Sequence, residues 1–215
     1  MSLYISLGIT LILAITVHEF AHALVADNLG DPTPRSQGRV TLNPLAHLDP
    51  FGSLLFIVSG FGWGRPVLTN PRNYRVPIRT GMAIVAFAGP LSNFLMALLA
   101  AIPFRLGLGG ALNVGGVGEI IPSLSDFLSI FIQVNLGLML FNLIPISPLD
   151  GFKVALGVLP DQWANALAGL EQVGPILLLL LVVSGRIGEQ FGFGFNLLGF
   201  LVGPAQQGLF NLLVG

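Results

Sequence analysis

Histidines at positions 18 and 22 flank a glutamate at 19 in the run HEFAH. On a helix of 3.6 residues per turn, positions four apart point the same way. His18 and His22 can therefore each give an imidazole nitrogen to one ion, with Glu19 at the edge of that face. Zinc held by two histidines and a carboxylate keeps an open position for water and depresses its pKa toward about 7. A neighbouring glutamate that is not a ligand can take the proton and later deliver it to a leaving amine. The chemistry these three residue types suggest is amide hydrolysis. A motif of this kind is a hypothesis until its surroundings agree, and the competing reading is two buried histidines bonded to nearby carbonyls. Here the surroundings are an apolar run over residues 3–26, where ionisable groups are costly and mark functional sites.

The elements that must position these groups are apolar throughout. Of 215 residues, 53% are hydrophobic and only 9% are charged, too little polar surface for a soluble domain of this size to cover itself. The composition predicts an all-α integral membrane protein. Five runs are long enough to cross a bilayer of about 30 Å, at residues 3–26, 80–103, 126–146, 163–184 and 191–214, in a bundle of about five to six helices. The first run is read as a retained span, since it is long, lacks a basic leader and carries HEFAH. One membrane-embedded domain over residues 1–215 is expected, with a core to about residue 153, accessory spans over 163–214 and no appended soluble domain. A shorter stretch, residues 51–61, is rich in glycine and β-formers and reads as a re-entrant β element, tolerated only where protein or a water-filled cavity satisfies its backbone. A formal net charge of -1 argues against nucleic acid as a partner. With zero cysteines, His, Asp and Glu are the strong metal ligands available.

Charge sets the orientation. Arg35, Arg39, Arg65, Arg72, Arg75 and Arg79 all lie between the first two spans, which makes that connection cytoplasmic and the N-terminus external. HEFAH then sits in the cytoplasmic half of the first span, and the third span runs inward to deliver Asp150 to the same side. Among Asp27, Asp31, Asp49, Asp126, Asp150, Asp161, Glu119, Glu171 and Glu189, Asp150 stands out as the third ligand. It follows Pro145 and Pro148, which unwind the end of the span, and precedes Gly151, which permits a turn back into the bundle. On spacing alone, a solvated helix-terminal aspartate is an equal reading.

HEFAH in one apolar segment, AFAGPLSN at residues 86–93 in a second and NLIPISPLDG at residues 142–151 in a third resemble the signature of the site-2 protease family of intramembrane zinc metalloproteases. GWGRPVLTNPRNYR at residues 62–75 is similar to that family's compact prokaryotic branch, and the likeness runs from Val17 to about Lys153. The resemblance implies one zinc ion held by His18, His22 and Asp150, Glu19 as catalytic base, and Asn142 facing the substrate, a single-span membrane protein. Chemically Asn142 could bond a substrate backbone group or a developing oxyanion, or instead tie helices together. Asn93 has two readings, close helix packing or a substrate contact. The chain departs from better-known relatives in having no peptide-binding domain inserted between its spans.

An intact substrate helix shields its amides, so a strand edge in the glycine-rich element, around Gly60 and Gly62, could hold an unwound segment by β-addition; the rival is a loop lying on the interface. His47 reads as a loop brace, and Glu171 as either bundle-facing or a span boundary. Two other functions compete. A catalytically silent zinc-binding adaptor would have lost its base, but Glu19 is present. An ion transporter would spread ionisable groups over several depths and show repeats, and the chain shows neither. The expected location is the cell membrane, multi-pass, with the reaction centre toward the cytoplasm.

Overall fold

The computed structural model describes residues 2–52, 64–113, 122–190 and 196–215, with the backbone alone at 2 and 185–190. In chain order the helices are α1 (Ser2–Asn28), α2 (Thr33–Ser36), α3 (Ile78–Arg105), α4 (Leu124–Asn142), α5 (Asp150–Val158), α6 (Asp161–Ala168), α7 (Gly174–Gln190) and α8 (Leu197–Val214). Four of them, α1, α3, α4 and α8, are long and apolar enough to cross a membrane. The chain is an all-helical, multi-pass membrane protein, and large apolar side chains such as Leu99, Leu179 and Phe200 point outward as lipid-facing groups do.

The expected fourth span, residues 163–184, is not one helix. Polypeptide 169–173 turns between α6 and α7, so the run is divided between two helices. Glu171 stands exposed in that turn, which removes it from the apolar helix. The expected re-entrant β element is also not seen. Phe51 and Gly52 are helical, and the described residues contain no strand beyond an isolated antiparallel bridge between Leu48 and Gly64. Residues 53–63, with Gly60 and Gly62, lie outside the described residues.

Helix α3 is the axis of the bundle and packs against α1, α4, α5 and α8. Its buried side is built from small residues, including Gly81, Ala86, Gly89, Ala97 and Ala101, which let neighbouring backbones approach. Ala97 and Ala101 meet Ile132, Leu136 and Met139 of α4 and Leu213 of α8 in one cluster. Helix α4 begins at a Ser123 cap, whose hydroxyl accepts from the Asp126 N–H at 3.1 Å. It ends at Asn142, three residues before Pro145, and residues 143–149 form an irregular turn leading into α5.

The C-terminus of α1 is closed by a Schellman motif. Gly30 takes φ +106, Gly30 N–H donates to Asp27 O at 3.0 Å and Asp31 N–H to Ala26 O at 3.0 Å. The reversal buries Asp31 completely. Its carboxylate accepts from Thr33 N (3.1 Å), Thr33 Oγ1 (2.6 Å), Asn70 N (2.6 Å) and Asn73 Nδ2 (3.0 Å), which pins the segment leading into α3 to the base of α1. Burial pushes the Asp31 carboxyl up, but the donors from Thr33, Asn70 and Asn73 outweigh it and hold the group below its usual range. A depressed folded pKa means that this stabilisation is present in full above the unfolded value near 3.9 and is lost as pH falls through the folded value. Asp31→Ala should lower stability by about 2–3 kcal/mol at neutral pH. In thermal melts in detergent, the gap between wild type and variant should narrow from pH 7 to pH 3; an unchanged gap would contradict the assignment.

Candidate metal centre

The geometry starts from a register match between two antiparallel helices. His18 and His22 lie one turn apart on α1, and Val85, Gly89 and Asn93 are spaced by the same four residues on the facing side of α3. His22 Nδ1 lies 2.7 Å from Val85 O, and His18 Nδ1 lies 2.6 Å from Asn93 Oδ1. A carbonyl oxygen can only accept, so each Nδ1 carries a proton, and in the neutral ring each Nε2 presents a lone pair. Both histidines are 8% exposed. Their rings meet edge to face, with centroids 4.6 Å apart and planes at 85°.

The two Nε2 atoms stand 3.0 Å apart, and Asp150 Oδ2 lies 3.1 Å from that of His18 and 3.2 Å from that of His22. Two imidazole nitrogens and a carboxylate oxygen thus crowd one point. A tetrahedral ion with bonds of about 2.0–2.1 Å separates its donors by roughly 3.3 Å, close to the spacing seen. The nearly equilateral N, N, O set fits a borderline-soft divalent cation. Among the described residues this is the one His/Asp/Glu group of three that could hold a metal.

Glycine makes the convergence possible. A Cβ on Gly89 would sit 2.4 Å from His22 Nε2 and 2.5 Å from His18 Nε2, so the backbone of α3 leaves the space into which both nitrogens point. Gly151 is needed for close approach rather than for positive φ. A Cβ there would lie 2.2 Å from Leu143 O, where the start of α5 folds back on the end of α4 and swings Asp150 toward α1.

Glu19 stands outside the triad, on the wall of a cavity of about 340 Å³ that His18, His22, Asp150, Asn142, Val67 and Tyr74 also line. Its Oε2 accepts from Val67 N–H at 3.2 Å, so the polypeptide at 64–70 runs along one side of the base. Arg39 is not a solvated loop charge. It is 4% exposed and donates to the carbonyls of Ala46 and Arg65, holding that polypeptide in place. Burial pulls its guanidinium below the usual range, the charge of Glu19 opposes this, and Arg65 adds to the fall. His47 is fully buried, with Nε2 donating to Thr41 O at 2.7 Å, and braces the loop as expected.

Asn142 lines the cavity from the last turn of α4, its amide donating to Leu138 O at 3.0 Å. Asn93 is fully buried on the α1-facing side of α3, with its Oδ1 at His18 Nδ1, a placement that favours the packing reading over the substrate contact. Missed entirely was Asn135, also fully buried, bonded to Asn93 at 2.9 Å. The available signal was its spacing of seven from Asn142, two turns up the same face of an apolar helix.

Fold and site together define a membrane-embedded candidate metalloprotein whose donor set is drawn from two helices, α1 and α5. The chain is 43% identical over 184 residues to the Bacillus subtilis protein named "Putative zinc metalloprotease YwhC", covering 86% of this chain and 83% of that one. It is 30% identical over 183 residues to "Putative zinc metalloprotease Rip2" of Mycolicibacterium smegmatis, covering 84% of this chain and 67% of the relative, and 29% identical to the Rip2 of Mycobacterium tuberculosis strain H37Rv. The chain belongs to the family of YwhC and Rip2. No family model and no solved structure matches it.

Proposed function

We propose that the chain is an intramembrane zinc endopeptidase of the site-2 type, which cuts single-span membrane proteins near the cytoplasmic face of the cell membrane. The observation that carries this reading is the set of two imidazole Nε2 atoms and one carboxylate oxygen 3.0–3.2 Å apart beside a carboxylate that is not one of them. His18, His22 and Asp150 would hold the ion, and the names of the relatives point to zinc. When bound, zinc supplies a Lewis acid that acidifies water and polarises a scissile carbonyl.

The remaining work falls to the chain. Glu19 Oε accepts the proton of the attacking water and returns it to the departing amide nitrogen, so that one carboxylate serves as base and then as acid. The pinned Nδ1 protons keep both imidazoles in the ligand tautomer throughout. Asn142 has an amide at the cavity wall to bind a backbone group of the unwound substrate. The five arginines between α1 and α3, with Arg79 in the first turn of α3, support a cytoplasmic position for this end of the bundle and an external N-terminus.

Incubation of the purified protein in detergent with a membrane-spanning substrate, alongside metal analysis, tests the proposal. Asp150→Ala should lose both cleavage and zinc, with affinity falling by more than the roughly 10- to 100-fold that removal of an outer hydrogen-bond partner costs. Cleavage that survives in Asp150→Ala, or a wild-type protein that binds no zinc, would refute it.

A further inference from the structure

The two histidines are held differently. His22 rests on a backbone carbonyl, whose polarity is fixed. His18 rests on a side-chain amide, which could present either its oxygen or its nitrogen, and only the oxygen gives the tautomer that can bind a metal through Nε2. Something must choose the face that Asn93 shows. The bonds that follow Asn93 make that choice in one direction. Asn135 Nδ2 donates to Phe131 O at 2.9 Å, which leaves Asn135 Oδ1 toward α3. That oxygen accepts from Asn93 Nδ2 at 2.9 Å, which in turn leaves Asn93 Oδ1 toward His18 Nδ1 at 2.6 Å. A second contact, Asn93 Nδ2 to Ala14 O at 3.4 Å, has the same sense.

The series begins at a main-chain carbonyl of α4 and ends at an imidazole of α1, and every member can take one orientation only. Both asparagines are 0% exposed, so water is not at hand to satisfy a flipped amide. We infer that Asn135, two helices from the metal site, is a positioning residue that sets the tautomer of His18 by fixing the orientation of the Asn93 amide. The role of the tautomer in zinc binding rests on the reading of the site given above.

Nitrogen-15 NMR of the histidine rings in the full-length, metal-free protein in detergent at about pH 8, above the ordinary imidazole value, reads where each ring carries its proton directly. The chain has 3 histidines, which single substitutions assign. In wild type, His18 should carry its proton on Nδ1. In Asn135→Leu, His18 should shift toward the Nε2–H form while His22, bonded to Val85 O, keeps its signals as an internal control. Affinity for zinc itself, measured against a competing chelator, should fall about 10- to 100-fold. Asn135→Asp, whose carboxyl group can accept from Asn93 Nδ2 whether or not it is ionised, should restore both readouts to within a few-fold of wild type.

An Nε2–H proton on His18 in wild type would overturn the inference. So would Asn135→Leu indistinguishable from wild type, or Asn135→Asp as impaired as the leucine variant, which would mean that side-chain volume rather than bond polarity matters. Should Asn135→Leu fail to fold, seen as loss of helicity with displacement of the His22 signals, Asn135→Ala decides on the same two readouts. A protein that binds no zinc in any form would sink the protease reading and leave the tautomer result standing.

Discussion

Glutamine in place of Glu19 should lower the cleavage rate by about 10²- to 10⁴-fold, a rise in barrier of about 3–5.5 kcal/mol, and leave the zinc content at one per chain. The two halves of this expectation have separate structural grounds. Glutamine is nearly isosteric and keeps an oxygen to accept the Val67 N–H that Glu19 Oε2 takes at 3.2 Å, so the cavity wall should hold. It cannot take up a proton, and among the described residues the other carboxylate lining the cavity, Asp150, lies within 3.2 Å of both imidazoles as part of the donor set. Single-turnover cleavage with matched metal analysis checks both. A glutamine variant that still cuts would remove Glu19 from the mechanism. One that loses its metal would make Glu19 a ligand or a structural support, and the division of roles argued above would fail.

Gly89→Ala should abolish zinc binding while the helices remain. Elsewhere in a helix, alanine for glycine is favourable by up to about 1 kcal/mol. At Gly89 the added carbon would stand 2.4 Å from His22 Nε2, with His18 Nε2 at 2.5 Å and His18 Cε1 at 2.6 Å. Real contacts of this kind need about 1 Å more, which neither ring can yield by rotating without breaking its 2.6 or 2.7 Å bond to Asn93 or Val85. Helix α3 would have to retreat from α1, at about 1–3 kcal/mol for an overpacked core. Either route separates the Nε2 atoms from Asp150. Zinc affinity should fall more than about 100-fold, beyond the loss of an outer partner alone. Gly8→Ala is the control, because nothing lies within 4 Å of the carbon it would add. Zinc bound with wild-type affinity by Gly89→Ala would mean that the two Nε2 atoms do not converge on that space.

The pairing of His18 with His22 was legible because helical period alone decides it, and Asp150 because prolines and a glycine mark where a span must break. Other features depend on contacts that no local pattern reveals. Gly151 could be read as a turn glycine, yet its backbone is not left-handed, and its need arises from a carbonyl 143 that meets it only in the folded chain. Asn93 could be called polar and interhelical, but its partner follows from α3 lying antiparallel to α1 in one register out of several. The run at 163–184 has enough apolar residues to suggest a span, and hydropathy could not weigh Gly169 and Glu171 against them. The β-rich composition of 51–61 pointed to a strand; of that stretch Phe51 and Gly52 are described and helical, and the rest lies outside the described residues. Asp31 gave no signal, because an aspartate just past a helix end is ordinarily solvated.

The donor set is strung far apart along the polypeptide, with Asp150 132 residues after His18. During synthesis, at about 5–20 residues per second, roughly 7–26 s pass between the emergence of the first donor and the last. Throughout that interval the nascent chain holds two histidines and a neighbouring carboxylate but no enclosed centre, so under the proposed function it would be inert toward the membrane proteins being inserted alongside it. Order of synthesis would then act as a safety catch that needs no inhibitor, released when the third donor is made and docks.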